Sequence, residues 1–222
     1  MPDRIDHFVI LRRLGRGGMG EVFAAYDERL DRRVAVKLLR SGLGSRRGGE
    51  QANRRLIREA QALARLSHPN VVQVYDKGPA GDDRYYLALE YVEGVPLDTW
   101  LGQGPYPLPT ILEKFLQIAD GLSAAHAAGL VHRDLKPANA IVGSDGRVRV
   151  LDFGLARAPL TPPSDEELAA AAARDSTRAL DLTATGTIVG TPAYMSPEQF
   201  TAGELTTASD QFSFCVALYE AL

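Results

Sequence analysis

The sequence predicts an α+β fold in which a strand-rich first part precedes a mostly helical second part. Two patterns carry this prediction. Within the first 90 residues, short segments rich in β-branched and aromatic residues are typical of strands, and together with the segment that enters a glycine-rich loop they predict a five-stranded sheet. Beyond residue 107, apolar residues recur at spacings of three and four, which is typical of a buried helical stripe. The predicted strand segments are Glu21–Tyr26, Arg33–Lys37, Val71–Tyr75 and Arg84–Leu89.

The composition is that of a globular protein with a large core. Of the 222 residues, 45% are hydrophobic and 24% are charged, and the net charge is −3. Acidic and basic residues are spread along the chain, so we expect no nucleic-acid partner. No apolar run approaches the ~18 to 20 residues of a membrane span, and the charged N-terminus is unlike a signal peptide. We therefore expect no membrane segment in this chain and a cytoplasmic location.

The single cysteine excludes an internal disulfide framework and a cysteine-based zinc cluster. Cys215 lies in the apolar stretch Phe212–Leu222, and we expect it to be a small buried packing residue. The fold must therefore be held together by its core rather than by cross-links.

Three glycines, Gly15, Gly17 and Gly20, form a GxGxxG pattern, which alone fits a dinucleotide-binding turn or a flexible loop equally well. A dinucleotide-binding turn runs from a strand directly into a helix. Here the predicted strand Glu21–Tyr26 follows, so the glycines join two strands. This context favours a lid over phosphate groups, in which glycine lets the backbone approach the ligand and flex.

Lys37 ends the next predicted strand, after the apolar run Val34-Ala-Val. Most lysines lie at the surface, so a lysine on an apolar strand directly after a glycine loop indicates a functional role. The residues from Glu50 to Leu66 form a helical segment that carries two acidic candidates for a partner of this lysine, Glu50 and Glu59.

A longer helix is predicted over residues 108–129. Its apolar residues follow one another at spacings of four, three and four, which places them on one helix face. This face would pack into the core and bring the chain to the next motif. The stripe consists of Ile111, Phe115, Ile118 and Leu122.

The motif HRDLKPAN follows this helix, and the motif DFG begins after a further twelve residues. Between the two motifs, Val148–Leu151 is predicted to be a short strand that delivers Asp152. These residue types are the ones that phosphoryl transfer from a metal-bound nucleotide requires. Asp134 would accept the proton of an attacking hydroxyl, and Lys136 would neutralise charge on the moving phosphoryl group. Asn139 and Asp152 would hold Mg²⁺ through oxygen ligands.

In this order and register, the motifs resemble those of the eukaryotic-like, Hanks-type serine/threonine protein kinases of bacteria. The resemblance implies the bilobal protein-kinase fold, with a five-stranded antiparallel N-lobe that carries one helix and a mostly helical C-lobe. Residues 1–91 would form the N-lobe, and residues 92–222 the hinge and part of the C-lobe. It also implies ATP and Mg²⁺ as cofactors and the Ser/Thr hydroxyls of proteins as acceptors.

The same resemblance assigns roles around the nucleotide. Lys37 would contact the α- and β-phosphates and pair with Glu59, because only Glu59 is followed at the family's distance by the motif SHPN. Leu89 would be the gatekeeper, and the Glu90 carbonyl and the Val92 amide would face the adenine edge. The expected ATP-binding residues are Leu14, Gly15, Gly17, Gly20, Val22, Ala35, Lys37, Leu89, Glu90, Val92 and Ile141.

The segment that follows DFG is unusually long. From Asp152 to Glu198, the acid of the motif SPE, it spans 46 positions (198 − 152). The excess lies at residues 158–182, where Ser164 and Glu167 form a capping-box pattern that predicts a short helix. The sequence indicates no function for this insertion.

The motif TPAYMSPE resembles the element that binds peptide substrates in this family. Thr191 would bond to Asp134 and Lys136, which implies a Ser/Thr rather than a Tyr acceptor. Glu198 would anchor the end of the segment.

The threonines before this motif resemble activation-loop phosphorylation sites. The candidates are Thr183, Thr185 and Thr187. Two cations, Arg133 and Arg157, lie where the family docks an activation-loop phosphate. A phosphate paired with such arginines can order a flexible segment.

The last predicted helix, Ser209–Glu220, resembles the central helix of the kinase C-lobe, with Asp210 capping the backbone of the catalytic loop. The family has further helices after this point, so we expect the chain to be a fragment or a part of a longer protein. Phe212, Phe214 and Leu218 would then form an uncovered apolar face. The acid of the motif SPE would lack the arginine that normally pairs with it.

The predicted function is serine/threonine protein kinase activity, regulated by activation-loop phosphorylation, with self-association for phosphorylation in trans. The alternative is a catalytically impaired kinase-like module that binds or scaffolds, because the C-lobe is incomplete. A small-molecule phosphotransferase of the same fold is disfavoured, because such enzymes generally lack a peptide-binding element like TPAYMSPE.

Overall fold

The larger sheet of the protein has six antiparallel strands. The structure is a computed structural model that describes residues 2–17, 20–39, 60–81, 84–153, 192–201 and 203–222. The strand order of this sheet is β1-β2-β3-β4-β6-β5, and every neighbouring pair is antiparallel. The strands are β1 (Arg4–Ile5), β2 (Phe8–Gly17), β3 (Gly20–Asp27), β4 (Arg32–Leu39), β5 (Val74–Pro79) and β6 (Tyr85–Glu90).

Five of these strands are the predicted ones, and the two-residue strand β1 is an addition at one edge of the sheet. The position predicted for the strand Val71–Tyr75 is wrong, because β5 begins at Val74. Val71 forms a bridge with Val150, and the Val72 N–H donates to the Val150 carbonyl at 3.0 Å. Residues 71 and 72 are therefore bonded to a different sheet and do not pair with β6.

Alternation along β4 gives the larger sheet two apolar faces. Val34 and Val36 are fully buried in a cluster on one face. Ala35 and Lys37 point to the opposite face, since successive side chains of a strand alternate. Lys37 lies directly across from Leu87, which belongs to the core shared with the helices. The strand pattern therefore aims the lysine at the boundary between the sheet and the helical part.

The helical part contains a second, three-stranded antiparallel sheet with the order β7-β8-β9. There are also two short 3₁₀ helices among the described residues, Pro137–Asn139 and Pro192–Tyr194. For the predicted helix that starts at Glu50, only the last part is described, and it is helical at 60–65. The remaining elements are α1 (60–65), β7 (Gly94–Pro96), α2 (Leu97–Leu101), α3 (Leu108–Ala127), β8 (Ala140–Gly143), β9 (Val148–Val150), α4 (Pro197–Phe200) and α5 (Thr207–Ala221).

Helix α3 buries the predicted stripe in the core. Phe115, Ile118 and Leu122 are buried, and Ile111 is partly buried against the same cluster. At Gly121 a β-carbon would lie 2.6 Å from the Asn70 carbonyl oxygen, so only glycine allows the helix to approach this closely.

Helix α5 differs from its prediction in the direction of its side chains. Phe214 packs edge-on against Phe115 of α3 with a centroid distance of 5.7 Å, and Leu218 also contacts the core. Phe212 is exposed, because residues two apart on a helix lie on nearly opposite sides. The expected common face of Phe212, Phe214 and Leu218 is therefore wrong, and so is the expected burial of Cys215, which is exposed.

The α+β fold class is confirmed by these elements. Among the described residues, no helix combines the length and the apolar character that crossing a bilayer requires. The predicted insertion at residues 158–182, with its short helix, lies outside the described residues.

Candidate active site

The loop that carries the motif HRDLKPAN follows α3 in the chain. Its backbone is hydrogen-bonded to the side chain of Asp210 of α5. The His132 N–H donates to Asp210 Oδ2 at 2.7 Å, and the Arg133 N–H donates to Oδ1 at 2.8 Å. His126 of α3 places Nε2 2.8 Å from Oδ2. Arg133 has a positive φ of 66°, a conformation that these bonds stabilise. The predicted capping of this loop by Asp210 is thus what the structure shows.

His132 is fully buried and uses both ring nitrogens. Its Nε2 lies 2.7 Å from the Leu151 carbonyl oxygen, and its Nδ1 accepts a hydrogen bond from the Asp134 N–H at 3.2 Å. An Nδ1 that accepts and an Nε2–H that donates require a neutral imidazole. Burial lowers the pKa of His132 by more than the carboxylates of Asp210 and Asp134 raise it. The neutral ring therefore joins the loop to the segment that precedes Asp152.

Asp134 is surrounded by the other polar residues of its motif. The Asn139 side-chain amide donates to the Asp134 carbonyl at 2.7 Å and to Asp134 Oδ2 at 3.2 Å. Lys136 Nζ lies 3.2 Å from the same Oδ2. These contacts hold the carboxylate in one orientation beside a positive charge.

Lys37 and Asp152 form an ion pair across the boundary between the larger sheet and the helical part. Lys37 Nζ lies 2.8 Å from Asp152 Oδ1, and the lysine side chain is 5% exposed. Burial raises the pKa of Asp152, but nearby positive groups, chiefly Lys37 through its charge and hydrogen bond, outweigh this effect and lower the pKa below its ordinary value. Asp152 also has a positive φ of 55°, in the left-handed region that non-glycine residues seldom adopt.

The donor set of Asn139 and Asp152 fits Mg²⁺. The Leu151 N–H donates to the Asn139 carbonyl at 2.8 Å, so the two residues lie on neighbouring, hydrogen-bonded segments. The Asn139 amide nitrogen faces Asp134, which leaves the side-chain carbonyl oxygen for a cation. One carboxylate and one amide oxygen, completed by water and phosphate oxygens, are ligands that Mg²⁺ prefers.

The glycine-rich segment lies in the same sheet as Lys37, with Gly15 two strands away from the lysine. Gly15 pairs with Val22, and Val22 pairs with Lys37. A β-carbon on Gly20, which has a φ of 141°, would collide with the Leu38 carbonyl oxygen. A β-carbon on Gly15 or Gly17 would meet nothing within 4 Å. Gly20 is therefore required by the fold itself, while Gly15 and Gly17 have open space where a β-carbon would lie.

The structure also describes the remaining residues that were predicted to bind ATP. Ala35 pairs with Leu89, so both side chains share the face of Lys37. Leu14 is 41% exposed at the end of β2. Val92 packs against the core, and Ile141 is half-buried on β8.

Gln199 follows the motif SPE at the end of the activation segment, the segment between DFG and SPE. It packs against the catalytic loop, which carries the motif HRDLKPAN, and the sequence analysis missed it. Gln199 is buried, its amide donates to the Arg133 carbonyl at 2.9 Å, and its carbonyl oxygen accepts from the Ser196 N–H at 2.9 Å. Ser196 and Gln199 have the S-x-x-Q spacing of a capping box, so the sequence carries a signal for this contact.

Glu198 has a neutral hydrogen-bond partner that the sequence analysis did not anticipate. Its carboxylate accepts a hydrogen bond from the Ser209 hydroxyl of α5, and this bond lowers the pKa of Glu198. This contact is a hydrogen bond from a neutral group, and it does not replace the arginine that the sequence analysis expected to be missing.

Comparison with known proteins identifies the family. Residues 8–222 match the protein kinase domain. The chain belongs to the protein kinase domain family. The predicted membership is thereby confirmed.

The relatives of this kinase domain are bacterial serine/threonine kinases. Pkn2 of Myxococcus xanthus is 39% identical over 227 residues and covers 100% of the chain, which spans 25% of that protein. A probable serine/threonine-protein kinase of Streptomyces coelicolor is 42% identical over 213 residues, or 94% of the chain and 29% of the relative. PknL of Mycobacterium tuberculosis is 38% identical over 98% of the chain and 49% of its own length. The chain thus spans between a quarter and a half of these relatives.

The fold of this kinase domain is also that of a solved structure. The kinase domain of Mycobacterium tuberculosis PknI superposes with a TM-score of 0.72 at 24% identity, over 98% of this chain and 74% of the other. This likeness agrees with the bilobal kinase fold predicted from the motifs.

Several predicted site residues of this kinase domain lie outside the described residues. Among the described residues, the carboxylate paired with Lys37 is that of Asp152. The residues outside the description are Glu59, Arg157, Thr183, Thr185, Thr187 and Thr191.

Proposed function

We propose that this kinase domain transfers the γ-phosphoryl group of ATP to Ser/Thr hydroxyls of proteins. The observation that supports this most strongly is that two contacts between charged residues lie where the larger sheet meets the helical part. Asp134 is held beside Lys136, and Lys37 is paired with Asp152. The names of the bacterial relatives agree with the proposed reaction.

Asp134 would act on the acceptor hydroxyl. Its Oδ2 already accepts from Asn139 and lies by Lys136, so the carboxylate is oriented before a substrate arrives. A substrate hydroxyl placed against this carboxylate would be aligned for attack and would pass its proton to it. Lys136 would stabilise the negative charge of the phosphoryl group in transit.

The nucleotide would lie between the glycine-rich loop and the Lys37–Asp152 pair. Bound Mg²⁺ would supply charge neutralisation and orientation of the phosphates. Asn139 and Asp152 would hold the metal, and Lys37 would shift its partner from Asp152 towards the phosphates. The adenine would fall against Ala35 and Leu89, whose apolar side chains share one face.

We further propose control by phosphorylation of Thr183, Thr185 or Thr187. The catalytic loop offers an entry point for this control, because the Arg133 backbone is bonded both to α5 and to Gln199 at the end of the activation segment. A phosphate near Arg133 would add charge-assisted bonds at this junction. Protein substrates, self-association for phosphorylation in trans and a cytoplasmic location belong to the same proposal.

A kinase-like binding module is the competing function. Loss of catalysis in such a module is expected to remove one of the charged residues that the reaction needs. Lys37, Asp134, Asn139 and Asp152 are all present and in contact as pairs, which favours a working enzyme.

Two substitutions test the proposed reaction. Lys37→Met removes the phosphate contact, and Asp134→Asn removes the proton acceptor with little change in shape. We expect phosphate transfer from labelled ATP to a generic basic protein to fall by roughly 10² or more in both. Nucleotide binding, followed with a fluorescent ATP analogue and Mg²⁺, should persist in Asp134→Asn. Transfer by either variant at the wild-type rate would contradict the assigned roles.

A further inference from the structure

A buried arginine, Arg149, connects the β8–β9 hairpin to Glu90. Glu90 is the first residue of the predicted hinge, the segment 90–94 that links the two lobes. Its side chain is 10% exposed, and its Nε lies 2.8 Å from Glu90 Oε1. Its Nη1 and Nη2 donate to the two carboxylate oxygens of Asp145 at 3.2 and 2.9 Å. The guanidinium thus joins the turn between β8 and β9 to the last residue of β6.

The chemistry of this junction requires arginine. The bond to Asp145 raises the pKa of Arg149, and the bond to Arg149 lowers the pKa of Asp145, so both charges are stable. A planar guanidinium presents Nε on one edge and a pair of N–H groups on another, and it can serve two carboxylates at once. A lysine ammonium would reach Asp145 or Glu90 but would lack this fixed fork.

Glu90 carries the contact into the hinge. Its N–H donates to the Gln73 carbonyl at 2.8 Å, and the Gln73 N–H approaches its carboxylate at 3.4 Å. Three residues later, the Glu93 carbonyl accepts from the Ser144 N–H at 2.7 Å. The hinge is therefore fastened to the β8–β9 hairpin at both ends, by a side chain at Glu90 and by backbone at Glu93.

We propose that Arg149 is a positioning residue for adenine recognition. By holding the carboxylate of Glu90, it fixes the backbone of the segment whose Glu90 carbonyl and Val92 amide would face the nucleotide. Arg149 acts through Glu90 rather than by touching the nucleotide. The inference rests on the proposed ATP-binding function of the hinge, and it adds a residue from β9 to that site.

The test compares Arg149→Met with Arg147→Met. Arg147 pairs with the same Asp145 at 2.8 Å, but its side chain is 54% exposed and its carboxylate partner is Asp145 rather than Glu90. We expect Arg149→Met to raise the Kd for ATP and the KM for ATP by roughly two- to thirtyfold. The value of kcat at saturating ATP should change by less than about twofold, since catalytic residues are untouched. Arg147→Met should leave the Kd and the KM for ATP unchanged.

A double-mutant cycle separates positioning from general loosening. If Arg149 acts through Glu90, then Glu90→Gln should weaken ATP binding and the double variant Arg149→Met/Glu90→Gln should bind no more weakly than Arg149→Met alone. Arg149→Lys keeps a charge at the site and should fall between the wild type and Arg149→Met. Additive effects of the two substitutions would overturn the inference, and so would equal losses in Arg149→Met and Arg147→Met.

The wild-type protein distinguishes the two levels of the proposal. Wild-type ATP binding together with an unchanged Kd in both Arg149→Met and Arg149→Lys overturns the role of Arg149 and leaves the proposed function standing. Absence of ATP binding in the wild type overturns the proposed function and this inference with it.

Discussion

Single residues of the candidate site are fixed by partners that determine their charge. His132 is neutral because one ring nitrogen accepts from the Asp134 N–H while the other faces the Leu151 carbonyl. Asp152 stays ionised because Lys37 lies 2.8 Å away. Each of these states depends on a contact between segments that are distant in sequence. The site is therefore as sensitive to packing as to the identity of its acids and bases.

The protonation of His132 gives a prediction for pH. Burial lowers the pKa of this residue in the folded protein below its ordinary value near 6.5. As the pH falls below about 6.5, the unfolded chain binds the proton first, so stability that is present at neutral pH is lost as the pH approaches the folded-state pKa. An NMR titration should show the His132 ring neutral at pH 6.5. A His132 signal that titrates at or above pH 6.5 would contradict the buried neutral ring.

Removal of Asp210 should loosen the catalytic loop. Asp210→Ala leaves the N–H groups of His132 and Arg133 without their acceptor, and each buried unsatisfied group costs about 1 to 3 kcal/mol. We expect the free energy of unfolding, measured by chemical denaturation, to fall by roughly 2 to 5 kcal/mol. Asp210→Asn keeps one acceptor oxygen and should lose less. A loss below about 0.5 kcal/mol in Asp210→Ala would show that other groups hold the loop.

The sequence predicted the residues with a proposed role in the reaction better than the residues that hold them in place. Lys37, Asp134 and Asp152 lie in motifs whose resemblance to those of the kinase family implied a common site. The structure pairs Lys37 with Asp152 and Asp134 with Lys136. His126 and Gln199 were missed, because their partners lie 84 and 66 positions away along the chain. Only the fold decides which distant polar groups come within hydrogen-bond distance.

At the scale of elements, the glycine-rich loop shows two different uses of glycine. Gly20 has a positive φ and no room for a β-carbon, whereas Gly15 has open space around it. The first is required for β3 to pass Leu38, and the second has no steric requirement of this kind. A GxGxxG pattern alone does not reveal this division, since it depends on how β3 pairs with β4.

Alanine substitutions distinguish these uses. Gly20→Ala should lower the free energy of unfolding by roughly 1 to 3 kcal/mol, because a methyl group would collide with the Leu38 carbonyl at a strained φ. Gly15→Ala should leave the free energy of unfolding within about 1 kcal/mol of the wild type. Thermal and chemical unfolding of the two variants measure the difference. Equal stability of the two variants would refute the steric requirement at Gly20.

Element boundaries were predicted well where the pattern was local. Helix α3 lies at Leu108–Ala127, close to the predicted range, because its apolar stripe is long and regular. The start of β5 was predicted three residues early, because Val71 and Val72 have strand-like side chains but bond to β9. The prediction of a common apolar face on α5 was wrong because apolar residues occur on both sides of that helix.

In the part of the chain that the structure describes, the turn that follows α1 joins β9 to α3. The Val150 N–H donates to the Asn70 carbonyl at 2.9 Å, and the Asn70 side chain donates to the Val148 carbonyl at 2.8 Å. Gly121 lets α3 approach the same turn. The turn, α3 and β9 thus form one packed junction, and β9 leads directly to Asp152.

Surface properties of the whole molecule give a further prediction. Phe212, Cys215 and Tyr219 lie at positions i, i+3 and i+7 on the outer side of α5, and Tyr219 is 83% exposed. An apolar stripe of this kind favours contact between molecules. We expect the 222-residue chain to self-associate with rising concentration in light scattering, and Phe212→Asp/Tyr219→Asp to be monomeric. A wild-type chain that stays monomeric at high concentration would exclude this contact.

Phosphoamino-acid analysis tests the proposed reaction most directly. The protein is incubated with Mg²⁺, γ-labelled ATP and a generic basic protein, and the labelled residues are identified after hydrolysis, with Asp134→Asn as the matched control. We expect labelled phosphoserine or phosphothreonine that depends on Mg²⁺ and falls by roughly 10² or more in Asp134→Asn. Label that equals the Asp134→Asn background, or that appears on tyrosine alone, would contradict a serine/threonine kinase built around Asp134.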